Sequence, residues 1–117
     1  MSKHSAKVSV AARRAVQARD WKAVQALAAE LLRLDERSAE GHFLAGLAEK
    51  AAQRPLRAAA EFARALELYA ARYDAAVELA DQHTIARRNG EAAVLLGRYE
   101  HALANSPRYL DLAGTIY

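Results

Sequence analysis

Four histidines, His4, His42, His83 and His101, are the side chains best placed by pKa to move protons or hold a metal near neutral pH. Their spacing argues against both roles. No HExxH pair sets two of them on one helix face, and no cysteine is present to complete a zinc site. Asp81 precedes His83 by two residues, a separation that does not bring side chains together on a helix, so the two make no carboxylate–imidazole dyad. GxGxxG, Walker and GxSxG motifs are absent, and Asn89-Gly90 suits the C-terminal cap of a helix better than a phosphate loop. Glu61, Glu67 and Glu78 lie among Arg57, Arg64 and Arg72, a mixture typical of solvated helix faces. The expectation from these residues is no catalytic site, no metal and no cofactor within the chain.

The elements that would carry these groups are all helical. About a quarter of the 117 residues are alanine, which loses no side-chain entropy in a helix and lets helices approach closely. Apolar spacing near 3.6 runs throughout, and strand alternation occurs nowhere. Segment 4–18 sets Val8, Ala11, Ala12, Ala15 and Val16 on one face. Asp20-Trp21 opens a second helix carrying Val24, Ala28, Leu31 and Leu32 and ending near Asp35. Ser38 is an N-cap for a third, with Phe43, Leu44, Leu47, Ala48 and Ala51. Gln53-Arg54 then turns the chain. Pro55 stands in the first turn of a fourth helix, where its missing amide costs nothing; Leu56, Ala59, Phe62, Ala63, Leu66 and Tyr69 follow.

A small residue recurs every 34 positions: Ala12, Gly46, Ala80 and Gly114. That interval is the length of one helix–turn–helix repeat of the tetratricopeptide (TPR) kind. Residues 39–72 resemble a TPR unit most closely, with Gly46, Ala58, Phe62 and Ala65-Leu66 at the family's spacing. In residues 5–38 the matching positions are Ala12, Val24, Ala28 and Leu31-Leu32, with Asp20-Trp21 where the family often has an Asp–aromatic pair. In the third unit Leu79-Ala80 keeps register, and Asn89-Gly90 makes its turn about three residues late. Tyr99, Ala102-Leu103 and Asn105-Ser106-Pro107 then resemble the family's closing segment. A three-residue slip accounts for this; an unslipped register with Ala92, Leu96 and Tyr99 is the alternative. No proline separates units two and three, so the fourth helix is expected to run on past Tyr69 until Asp74 caps the fifth.

The resemblance implies an all-α, right-handed α-solenoid of about seven helices. It forms one domain over 1–117, with repeats at about 5–38, 39–72 and 73–107 and a partial repeat or capping helix over 108–117. That last segment offers Leu110, Leu112, Ala113, Ile116 and Tyr117 with one acid, Asp111, so it is expected to await a second helix or to self-associate. In TPR arrays the first helices of the repeats line a concave groove. Here they would present Ser9, Arg13 and Gln17, then Phe43, Leu47 and Lys50, then Val77, Asp81 and Thr84. The carboxylate-clamp sites of some TPR domains correspond to Ser9, Arg13, Leu44 and Asp74; only Arg13 is basic and none is asparagine, so a clamp for acidic tails is not expected.

The expected function is a non-catalytic scaffold that takes a protein segment, a peptide or a partner helix, in its groove. The alternative is the N-terminal TPR segment of a longer bacterial enzyme, such as a sulfotransferase or glycosyltransferase, serving regulation or oligomerisation. Residues 1–22 carry six basic groups against Asp20 alone, and the remainder carries eleven against thirteen. No aromatic residue is interleaved with that charge before Trp21, so nucleic acid is disfavoured as a partner. No apolar run of about 18 residues is present for membrane insertion, and the polar N-terminus lacks the apolar core of a signal peptide. A cytoplasmic address follows. Arginine outnumbers lysine 13 to 4, as in GC-rich bacterial genomes.

Overall fold

The computed structural model describes residues 3–99. They form α1 (Lys3–Gln17), α2 (Trp21–Leu34), α3 (Ala39–Ala51), α4 (Pro55–Leu68), α5 (Tyr73–Ile85) and α6 (Asn89–Arg98), with no strand among the described residues. His101, the closing segment from Ala102 and the partial repeat over 108–117 lie outside them.

Each helix packs against the next along the chain, the pattern of a solenoid. Its starts and stops follow local chemistry. The Asp20 carboxylate accepts from the Ala23 amide at 3.2 Å, and the Ser38 hydroxyl accepts from the Gly41 amide at 2.9 Å. Pro55 occupies the first turn of α4 as expected. The turns inside the repeats are alike: Arg19, Gln53 and Arg87, each 34 apart, take φ of 55°, 61° and 62°. Around Gln53, its amide donates to the Lys50 carbonyl and the Arg54 amide to the Glu49 carbonyl. The same two bonds recur around Arg19 and Arg87. This is the Schellman closure, which satisfies carbonyls orphaned at the helix end.

Two expectations are corrected here. The third unit does not slip: α5 and α6 begin 34 residues after α3 and α4, and Ala92 and Leu96 take the buried places of Ala58 and Phe62. Asn89-Gly90 opens α6 instead of capping α5, and Gly90 does not use a positive φ. The fourth helix does not run on past Tyr69 either. Tyr69 is extended as its C-cap, and Arg72, not Asp74, is the N-cap of α5. No proline is needed for that break, because burying Ala75 and Ala76 at the start of α5 requires the chain to turn back.

Two apolar clusters form the core. One gathers Val8, Ala12, Val24, Ala28, Leu31 and Leu44 from the first three helices. The other is built on Ala58, Phe62, Val77, Ala80, Ala92 and Leu96. Leu47 packs against both and joins them. Ala11, expected inside, is exposed, and Ser9 is buried instead.

Candidate functional site

The array leaves a cleft of about 330 Å³ between α1, α3 and the start of α5. Arg13, Val16 and Gln17 form one side, Phe43, Leu44 and Leu47 the floor, and Glu40, Arg72 and Asp74 the rim. Its floor is held by two neighbours. The Phe43 ring lies 5.6 Å from that of Phe62, tilted by 51°, and the Arg72 guanidinium stands over it, 4.5 Å from its centre. Arg72 is steadied in turn by Asp74, 3.5 Å from its Nε. Across the cleft, Arg13 Nη2 lies 3.5 Å from Glu40 Oε2, an exposed pair worth at most about 1 kcal/mol. The outcome is an apolar floor with both charge signs at its edge.

Of the nine groove-facing residues expected from the sequence, Arg13, Gln17, Phe43 and Leu47 are brought together by this cleft. Ser9 is buried one turn earlier on α1. Lys50 and Asp81 belong to a second cluster that ties α3 to α5. Lys50 Nζ donates to Glu78 Oε2 at 2.7 Å and lies 3.8 Å from Asp81 Oδ2. Glu78 is therefore not on a solvated face; it is buried and paired. Val77 packs into the core against the Phe62 cluster, and the Thr84 hydroxyl donates to the Ala80 carbonyl within its own helix. Glu40 and Arg72 were not foreseen as groove residues, and Asp74 was named only as a position matching a clamp site. The 34-residue interval pairs Glu40 with Asp74 and so carried a signal for that rim.

His4 and His42 serve as links between elements. His42 Nδ1 meets Glu61 Oε2 at 2.9 Å across α3 and α4, and its Nε2 meets the Glu36 carbonyl at 3.2 Å. His4 reaches Glu30 at 3.2 Å. The hydrogen bond from Arg33, helped by that from His4, lowers the Glu30 carboxyl to about 2. Burial pushes the His83 imidazole down, with Arg88 adding to the effect and Glu91 opposing it. Among the described residues no group of three or more His, Asp or Glu could hold a metal ion, and no helix is long and apolar enough to cross a membrane. Another cleft, about 600 Å³, opens on α5 and α6 and shares no residue with the groove.

This arrangement of helices has counterparts among solved structures. The chain is similar in fold to SycD of Yersinia enterocolitica. One such structure, the type III secretion chaperone SycD in complex with a peptide of the translocator YopD, matches with a TM-score of 0.81 at 15% identity. The match covers 99% of this chain and 88% of that one. A second, of the type III secretion translocator chaperone SycD, gives 0.82 at 14% identity over 99% and 81%. The fold is thus a TPR-like helical repeat. No protein-family model matches the sequence, and no curated protein matches it.

Proposed function

We propose that this chain is a TPR-type interaction module that receives a peptide segment in the groove of α1, α3 and α5. The observation that carries it is the cleft over Phe43 and Leu47: an apolar floor, open to solvent, walled by charges that can pair with a peptide's own polar groups. Such a floor would otherwise be filled by the protein's own side chains. The SycD structure with its translocator peptide supports the same use of a fold of this shape. The other function drawn from the sequence, a regulatory segment of a longer enzyme, gains no support from the comparisons.

The test is to pan a random peptide library against the full chain and map the selected peptides by amide chemical shifts. Shifts concentrated at Arg13, Gln17, Phe43 and Leu47 are expected. Leu47→Arg should weaken binding at least about tenfold, because it places a charge in the floor, whereas Leu56→Arg, on an exposed site away from the cleft, should not. Selected peptides whose shifts map elsewhere would refute the assignment.

A further inference from the structure

The 34-residue interval relates two clefts. Adding it to Ser9, Ser38 and Glu40 gives Phe43, Arg72 and Asp74, all of which line the apolar cleft. The niche of about 510 Å³ lined by Ser5, Ser9, Asp35, Ser38 and Glu40, with Leu31 and Leu34, therefore shares three equivalent positions with that cleft, one unit earlier. Glu40 is a wall of both, so the two are neighbours.

Their chemistry differs. Where Phe43 lies under Arg72 in the second, the first has Ser9, only 4% exposed, whose hydroxyl finds no hydrogen-bond partner among the described residues. Glu40 Oε1 is likewise out of water and unbonded, although Oε2 faces Arg13. The other polar groups are committed: Ser38 Oγ accepts from the Gly41 amide, and Asp35 Oδ1 from the Arg37 amide. Two unbonded oxygens, the Ser9 hydroxyl and one oxygen of the Glu40 carboxylate, with the Asp35 carboxylate lining the same niche, call for a ligand with several N–H donors and a positive charge. A primary ammonium, with three, supplies both.

We propose that this niche takes the ammonium of a lysine in the bound peptide, while a neighbouring apolar side chain fills the Phe43–Leu47 cleft. This rests on the groove function proposed above and adds the class of sequence it selects. An acidic peptide is excluded by the same two carboxylates.

The test uses an array of short synthetic peptides with one leucine and one lysine at every mutual spacing, and the same peptides with acetyl-lysine. Full-length wild type, Ser9→Ala and Glu40→Gln are compared. The best leucine–lysine peptide should bind wild type about tenfold more tightly than its acetyl-lysine form, as one charge-assisted hydrogen bond implies. Each variant should abolish that difference, and Ser9→Ala, which lies outside the apolar cleft, should keep the affinity for leucine. Leucine-dependent binding with no gain from lysine overturns the inference and leaves the groove function standing, as does a gain that survives in both variants. Failure of every peptide, in array and library alike, removes the groove function and this inference with it. Ser9→Ala also guards against a merely structural role. It should not lower the unfolding midpoint of the free protein, since the hydroxyl it removes has no partner there; a lowered midpoint overturns the inference.

Discussion

Gly46 has the least room for a side chain of the described glycines, and packing can be tested most sharply there. A methyl carbon added there would lie 2.5, 2.7 and 2.9 Å from three carbons of the Phe62 ring, against about 3.5–4.0 Å for relaxed carbon contacts. Phe62 is fully buried and its ring touches Phe43, so it cannot move without disturbing the groove floor. Overpacking of this kind costs about 1–3 kcal/mol, and the better helix propensity of alanine returns up to about 1. Gly46→Ala should therefore destabilise by about 1–2 kcal/mol. Gly97→Ala, which meets nothing within 4 Å, should instead stabilise by up to about 1 kcal/mol.

The chain itself suggests the compensation. The pair Gly46/Phe62 corresponds to Ala80/Leu96 in the next repeat and to Ala12/Ala28 in the previous one; where the first member gains a methyl, the second is smaller than phenylalanine. Phe62→Leu alone should cost about 1–2 kcal/mol through the space it leaves. The double variant G46A/F62L recreates the third-repeat pair and should be no less stable than Phe62→Leu alone. Urea unfolding followed by circular dichroism gives the four corners of the cycle. Losses that add to within about 0.5 kcal/mol would refute the claim that these two residues share one space.

Other expectations concern the turn of the third repeat and the response to pH. Arg87 holds a left-handed conformation, and Arg88 is an N-cap with no side-chain hydrogen bond where the first repeat has Asp20. Arg87→Gly and Arg88→Asp should each add about 1 kcal/mol, read as a rise in the urea midpoint. Glu30 titrates at about 2 against an ordinary 4.5, so its pairing supports the fold above the usual carboxylate range and is lost as pH falls from there toward 2. His83 is depressed from 6.5, so the unfolded chain takes up its proton first and stability falls as pH drops through that value. Midpoints measured against pH should flatten near neutrality in His83→Gln, and in the acid range in Glu30→Gln.

Much of the fold was legible because a repeat must bury its helices against copies of itself. Ser38, Asp20 and Pro55 mark helix starts by local hydrogen bonding or its absence, and they mark them correctly. Asn89-Gly90 misled because it is the strongest turn dipeptide in the chain, yet it lies in the first turn of α6. The residues that do turn the chain, Arg19, Gln53 and Arg87, have no intrinsic taste for a positive φ. Helix packing imposes it. With Ala80 and Ala92 both fully buried, a three-residue shift of α6 would carry Ala92 and Leu96 off the face that meets Phe62, and local turn preference is too weak to offset that loss.

The groove was legible only as a set of positions. Ser9, Phe43 and Val77 are equivalent by the interval of 34, and the resemblance treats them alike. In the structure one is a buried hydroxyl, one is the aromatic floor and one is core. What separates them is the next element. Arg72 at the head of α5 covers Phe43 and leaves the cleft beside it open, whereas Ser38 and Glu40 at the head of α3 leave Ser9 facing unfilled polar space. Periodicity fixes where a side chain enters the groove, because the backbone repeats. It does not fix what that side chain meets, because the capping residue of the following repeat is free to vary without cost to the core. On the groove function proposed above, selectivity would therefore be set mainly at the heads of α3 and α5, in Ser38 with Glu40 and in Arg72 with Asp74.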